Sequence, residues 1–237
     1  MRRGSDSVRQ HMKKQFTTAD IDHEIEQFDQ RGIVCVLLFF SCYPTETWSD
    51  FLDTVDMFVR YQKYCASGTI YKLTLGTPYT HHAQTPLWNM QDDIGLSAKK
   101  GSDILWKLES NLELTYQERV RRRLILQEVA NALGLPMSRN TAELNQLIDS
   151  LRNHRNEIQE YFYDAAPAQL HLDRYNLTQH SEILMPPELQ DKIYNHLQEN
   201  PDLRDVIKQK HIGLADDIRF DNHTYLSLRS LITDLQT

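Results

Sequence analysis

Small and hydroxylated residues that could bind a ligand gather in three short segments. The first is Gly4-Ser5-Asp6-Ser7-Val8-Arg9, followed by His11-Met12-Lys13-Lys14. The second is Tyr43-Pro44-Thr45-Glu46-Thr47, directly after a long apolar run. The third extends from Gly68-Thr69-Ile70 to Gly76-Thr77-Pro78, with Thr85-Pro86-Leu87 further on. Small side chains let backbone amides approach a ligand. A helix that starts beside Ser5 or Thr47 offers its free N–H groups to a carboxylate or phosphate. The chemistry implied is capture of a small molecule by backbone turns.

Other reactive residues read as packing or as surface. Cys35, Cys42 and Cys65 are odd in number, so they make no complete disulfide framework. Their spacing matches no common zinc or iron–sulfur pattern. Cys35 lies inside the apolar run and Cys42 ends it next to a turn; core packing is expected for both, and for Cys65. His81-His82 with Asp92-Asp93 could mark a metal site, but adjacent loop histidines are expected at the surface, so no metal ligand is assigned. The dense basic run Arg119-Val120-Arg121-Arg122-Arg123 is expected on a solvated helix face. Tyr61, Tyr64 and Tyr71 form no stacking platform, and no nucleophile elbow, phosphate loop or zincin motif occurs.

The elements that must carry these segments alternate helix and strand. Ile21, Ile25 and Phe28 form one helical stripe, with Thr17 and Asp20 as a capping pair and Gly32 as the stop. Ile33 to Phe40 is apolar without alternation, as for a strand covered on both faces in a parallel sheet, and Pro44 ends it. Thr47 with Asp50 caps the next helix, whose stripe is Phe51, Val55 and Phe58 and whose close is Gly68. Ile70, Leu73 and Leu75 mark a second strand. Helix–strand–helix–strand with short connections predicts βαβ crossovers. In such sheets ligands bind beyond the carboxyl ends of strands, where segments 43–47 and 76–78 fall. Segment 4–9 joins them if a strand precedes it.

After Gly101 the pattern is mostly helical. Thr115 with Glu118 opens one helix, which Gly134-Leu135-Pro136 stops. Asn140 with Glu143 opens another, Gln169 to Tyr175 reads as a short strand, and Pro187, Pro201 and Asn222 begin further helices. Two domains are expected, at 1–100 and 101–237. Most of the acidity belongs to the second, which carries 15 basic and 21 acidic residues against 11 and 12 in the first.

A chain of 237 residues with 40% hydrophobic and 25% charged side chains buries a real core. The net charge of −7 argues against a general nucleic-acid or membrane-surface binder. No signal peptide opens the sequence, and the run from Ile33 to Phe40 is too short to span a bilayer. A cytoplasmic protein is expected.

The same three segments carry a family resemblance. Gly4-Ser5-Asp6-Ser7-Val8-Arg9 resembles the "E-S-G-S-E-x-V-R" segment after the fourth strand of radical S-adenosylmethionine barrels. Leu37 to Thr47, with Asp50-Phe51 and Thr54, is similar to that family's "G-x-P-G/T-E-T-x-x-D-F-x-x-T" strand–turn–helix. Gly68-Thr69-Ile70 and Thr85-Pro86-Leu87 are similar to its next strand and loop. The likeness covers roughly residues 4–90, more weakly to 134, and looks closest to members with an upstream cobalamin-binding domain. It implies an α/β fold: a partial (β/α) TIM-type barrel followed by a mostly helical C-terminal region. It also implies a 4Fe-4S cluster on C-x-x-x-C-x-x-C that cleaves S-adenosylmethionine reductively to a substrate-oxidising radical. Gly4, Ser5 and Arg9 match positions near the ribose and methionine carboxylate. Pro44, Thr45 and Glu46 match the turn after the fifth strand, where Glu46 orients the loop and Thr47 caps the helix. Thr77, Tyr79, His81 and His82 fall on a substrate-facing loop.

The departures are large. Arg2-Arg3 stands where the family has Glu-Ser, and no C-x-x-x-C-x-x-C occurs. The cluster loop and first strands are expected upstream of Met1 or on a separate chain, leaving this chain inactive alone. A half barrel leaves a parallel strand edge open, which a partner chain or second copy should cover. The alternative is a non-catalytic interaction or regulatory protein built on a half barrel.

Overall fold

A computed structural model describes residues 5–12, 14–75, 96–98, 106–108, 111, 113–137 and 185–211. Helix α1 spans Asp6–His11 and α2 spans Thr18–Gln30. Strand β1 is Val36–Ser41, α3 is Trp48–Tyr61, and a 3-10 turn at Gln62–Ser67 leads to β2 at Ile70–Leu75. Short strands β3 (Leu96–Ala98) and β4 (Trp106–Leu108) follow. Helices α4 (Tyr116–Leu133), α5 (Pro187–Glu199) and α6 (Leu203–His211) complete the described elements.

Local sequence explains where these elements begin and end. Thr17 and Asp20 form a full capping box on α2, and Thr47 and Asp50 form one on α3. Each box satisfies two backbone donors that a helix start leaves free. Gly68, at φ 112°, closes the 3-10 turn in a conformation that side-chain-bearing residues rarely adopt. Gly134, at φ 68°, closes α4 in the same way. Pro187 is the first residue of α5, where its missing N–H costs nothing. The helix expected at Pro201 starts two residues later, at Leu203.

β1 and β2 pair in parallel, from Val36 opposite Ile70 to Ser41 opposite Leu75. A parallel pair needs a crossover connection, and α3 supplies it. On its other edge β2 meets the segment after α4: Tyr71 N donates to Pro136 O at 2.9 Å, and Tyr71 forms a parallel bridge with Met137. The fold is thus mixed helix and strand around a small parallel sheet.

Three further observations differ from the sequence expectation. The strand starts at Val36 rather than Ile33, and Ile33, Val34 and Val36 are 49%, 59% and 53% exposed. Apolar residues at the entry to a strand lie beyond the helices that cover its centre. β3 and β4 form an antiparallel pair, Leu96 opposite Leu108, where no strand was expected. Three-residue strands carry too little periodicity to be read from sequence. Finally, Arg119, Arg121, Arg122 and Arg123 are buried rather than solvated, at 0–3% exposure. Arg119, Arg121 and Arg122 lie over aromatic rings, Arg121 and Arg122 pair with buried carboxylates, and Arg123 donates to Gln127 Oε1.

The core explains that last result. Leu37, Phe39, Phe51, Val55, Phe58, Tyr71 and Leu73 form one apolar cluster with Ile125, Leu126, Val129 and Leu133 of α4. Phe39, Phe58 and Tyr71 lie within 4.8–5.4 Å of one another, ring centre to ring centre. α5 and α6 add Leu189, Ile193 and Ile207 to the same cluster. They are also tied to the 3-10 turn, through His196 Nε2 with Gln62 Oε1 at 2.5 Å and His211 Nε2 with Cys65 O at 3.0 Å. Helix α4 is therefore enclosed on most sides, and its charged first half is taken inside with its apolar second half. The expected helix at Asn140, the strand at Gln169–Tyr175 and the helix at Asn222 lie outside the described residues.

Candidate functional site

Ser5 meets the first turn of α3, the helix that follows β1. It is 2% exposed, caps α1, and its hydroxyl donates a hydrogen bond to Asp50 Oδ1. Asp50 belongs to the first turn of α3, where its other oxygen accepts from Thr47 N at 2.8 Å and Thr47 Oγ1 at 2.7 Å. One carboxylate thus joins segment 4–9 to segment 43–47 across 45 residues. Burial alone would raise the Asp50 carboxyl; the hydrogen bonds from Ser5 and Thr47 outweigh it and hold it below the ordinary range.

Arg9 is 1% exposed and pairs with Asp6 and Thr18, which tie α1 to the start of α2. Asp6 also accepts from Thr18 N at 2.8 Å. A cavity of about 560 Å³ opens beside these residues, lined by Ser5, Ser7, Asp50, Asp53, Arg60 and Lys192 among others. Asp53 sits on its wall, and burial together with Asp50 and Asp6 pushes its carboxyl up.

Glu46 is 2% exposed and turns inward. Its two oxygens accept the Cys42 N–H at 3.0 and 3.1 Å, and Arg122 Nη1 lies 3.2 Å from Oε1. Cys42 stands at φ 62°, in the left-handed region. A Cβ at positive φ costs roughly 1–2 kcal/mol; the carboxylate of Glu46 offsets that by fixing the amide. Burial, then the Glu46 charge, pushes the Cys42 thiol well up, so it stays protonated. Cys65 is likewise buried and raised. Within the turn, Pro44 lends its carbonyl to Asn111 Nδ2 at 3.1 Å, and Thr45 holds its hydroxyl buried without a hydrogen-bond partner. The Ser41 hydroxyl, at the last position of β1, is in the same state.

Behind the turn lies a buried ionic layer on α4. Glu118 Oε1 accepts from Arg122 Nε at 2.8 Å and Oε2 from Arg121 Nη1 at 2.6 Å. Burial opposes the Arg122 charge, but Glu118 and Glu46 outweigh it. Arg119 packs 3.8 Å over the Trp106 ring and donates to the carbonyls of Trp106 and Leu114. Sequence reasoning did not bring Asn111, Glu118 or Arg122 to this turn. The spacing of Glu118 to Arg121 and Arg122 is the i, i+3 and i, i+4 pairing of a helix, but nothing local says that the pair is buried.

Gly4 and the loop residues Thr77, Tyr79, His81 and His82 lie outside the described residues, as do Asp92 and Asp93. Among the described residues no group of histidines, cysteines and carboxylates could hold a metal ion. No described helix is long and apolar enough to cross a membrane. Comparison with protein-family models, curated proteins and solved structures finds no match for this chain.

Proposed function

We propose that this chain is the C-terminal part of a radical S-adenosylmethionine protein, a partial (β/α) barrel whose Ser5 mouth holds part of S-adenosylmethionine. The hydrogen bond from Ser5 to Asp50 carries this reading. It brings the two segments of the resemblance together at one strand end, where parallel α/β sheets bind ligands. The hydroxyls of Ser41 and Thr45, at the end of β1 and in the turn after it, are buried without a partner and would accept one from a polar ligand, although neither lines the cavity beside Ser5. Ser5 and Arg9 then shape the α1 side, with Gly4 before them, while Pro44, Thr45 and Glu46 shape the turn.

The 4Fe-4S cluster does not fit this chain. Cys42 and Cys65 are fully enclosed with raised thiols, and the spacing of all three cysteines is wrong. Cluster chemistry, and any cobalamin, therefore belongs to a segment or chain outside this one, and radical modification of a small-molecule substrate needs both parts. Binding of S-adenosylmethionine to this chain, alone and with a cluster-bearing half added in trans, tests the proposal. Calorimetry is expected to show binding that strengthens with the added half, and anaerobic iron and sulfide reconstitution of this chain alone is expected to yield no cluster absorbance. A chain that ignores S-adenosylmethionine in both settings sinks the proposal.

One observation favours a second reading. Ile33, Val34 and Val36 leave an apolar entry to β1 in solvent. A partner chain or second copy that covers this edge would suit a non-catalytic interaction protein. A stable oligomer with no affinity for S-adenosylmethionine supports that reading.

A further inference from the structure

We propose that Arg122 and Asn111 are positioning residues that lock the 42–47 turn from behind, making the approach to α4 and its first half part of the Ser5 mouth. The proposal rests on the reading of that mouth given above. Arg122 is 0% exposed, and its Nη1 donates to three acceptors of one turn: Glu46 Oε1 at 3.2 Å, Glu46 O at 3.3 Å and Thr47 O at 3.1 Å. Asn111 Nδ2 reaches the same turn from another side, at 3.1 Å from Pro44 O and 3.3 Å from Glu46 O. The rings of Trp48 and Phe51, each 5.5 Å from the guanidinium centre, restrict where Arg122 can go.

The consequence for the mouth follows bond by bond. Glu46, held by Arg122, fixes the amide of Cys42 in its positive-φ conformation. Thr47, whose carbonyl Arg122 holds, caps α3 through Asp50. Asp50 accepts the hydrogen bond from Ser5. A shift of Arg122 thus reaches Ser5 through Thr47 and Asp50.

Stability alone does not account for the arrangement. Removing charges from water is costly, and apolar residues of similar volume are often as stable or more so. An apolar side chain at 122 would fill the space but could hold no carbonyl. What the guanidinium adds is the fixed placement of several acceptors by one rigid fork.

The test uses the full chain with S-adenosylmethionine as the probe. Arg122→Met and Asn111→Ala are each expected to weaken binding by about tenfold or more, the scale set by small misplacements of a site. Both are also expected to accelerate hydrogen exchange at the Cys42 amide. Leu133→Ala, at the far end of the same helix, is expected to lower Tm while leaving affinity unchanged. Adding Glu46→Gln to Arg122→Met is expected to restore part of the Cys42 protection, because the uncompensated carboxylate is gone. Wild-type affinity in both variants, or a loss that merely tracks Tm as in Leu133→Ala, overturns the proposal. If the unaltered chain does not bind S-adenosylmethionine either alone or with the cluster-bearing half added, the reading of the mouth fails. The exchange rates then decide the lock alone, and an unchanged Cys42 rate in Arg122→Met and Asn111→Ala overturns it. If Arg122→Met does not fold, Asn111→Ala, at a half-buried position, gives the answer.

Discussion

Asp50 shows how one side chain can serve two structures. It completes the capping box of α3 and receives the hydrogen bond from the Ser5 hydroxyl. Its carboxyl is held below the ordinary value of 3.8 despite burial. The sign of the pH dependence follows. A carboxyl depressed in the fold contributes stability that is fully present above its unfolded pKa, near 4. That contribution is lost as pH falls through the folded pKa. Ser5→Ala removes one bond to the charged form, so its folded pKa moves back up. The variant is expected to be less stable by about 1.5–3 kcal/mol at neutral pH, the range for a hydrogen bond to a charged group. The deficit should shrink as pH falls below about 4, and vanish only below the depressed folded pKa of wild-type Asp50, where the carboxyl is protonated in both proteins. Urea unfolding at pH 7 and pH 3 measures it, and an equal deficit at both pH values would contradict the role given to Asp50.

Among elements, α3 has the most clearly written start and the most decisive position. Thr47 and Asp50 define its first turn, and Phe51, Val55 and Phe58 pack it on the sheet. Thr47→Ala removes the side-chain acceptor for the Asp50 amide, 3.2 Å away. The expected loss is about 1 kcal/mol, read as a lower urea midpoint with the slope unchanged. Because the same turn carries Asp50, the variant is also expected to weaken binding at the Ser5 mouth. A lower midpoint with unchanged affinity would separate the cap from the mouth.

On the scale of the whole molecule, the core runs from α2 through α4 to α6 without regard to the change in composition near residue 100. Gly134 illustrates the dependence of one part on another. It stands at φ 68°, and a Cβ there would lie 2.7 Å from Arg204 Cγ in α6. Arg204 also donates to the carbonyl of Asn131 at the end of α4. Gly134→Ala therefore meets both backbone strain and a close neighbour, and is expected to cost about 1–2 kcal/mol. In a chain of this size that lowers Tm by roughly 2–8 °C. Gly32, also at positive φ but with open space around its Cβ position, should pay only the backbone part.

The sequence alone determined much of the local structure: the caps of α2, α3 and α4, the segments that hold β1 and β2, and that α3 connects them. These follow from capping chemistry, positive-φ glycines and apolar periodicity, all of which act within a few residues. It also placed Glu46 and Thr47 in one turn and supplied the likeness on which the proposed function rests. Only the tertiary structure decided that Ser5 meets Asp50, that Asn111 and Arg122 hold the 42–47 turn, and that the arginines of α4 are inside. A run such as Arg119 to Arg123 carries no local sign of burial. Its charge is tolerated because Glu46, Trp48 and Trp106 arrive from distant parts of the chain, and the cost of burying a charge depends on the partners that surround it.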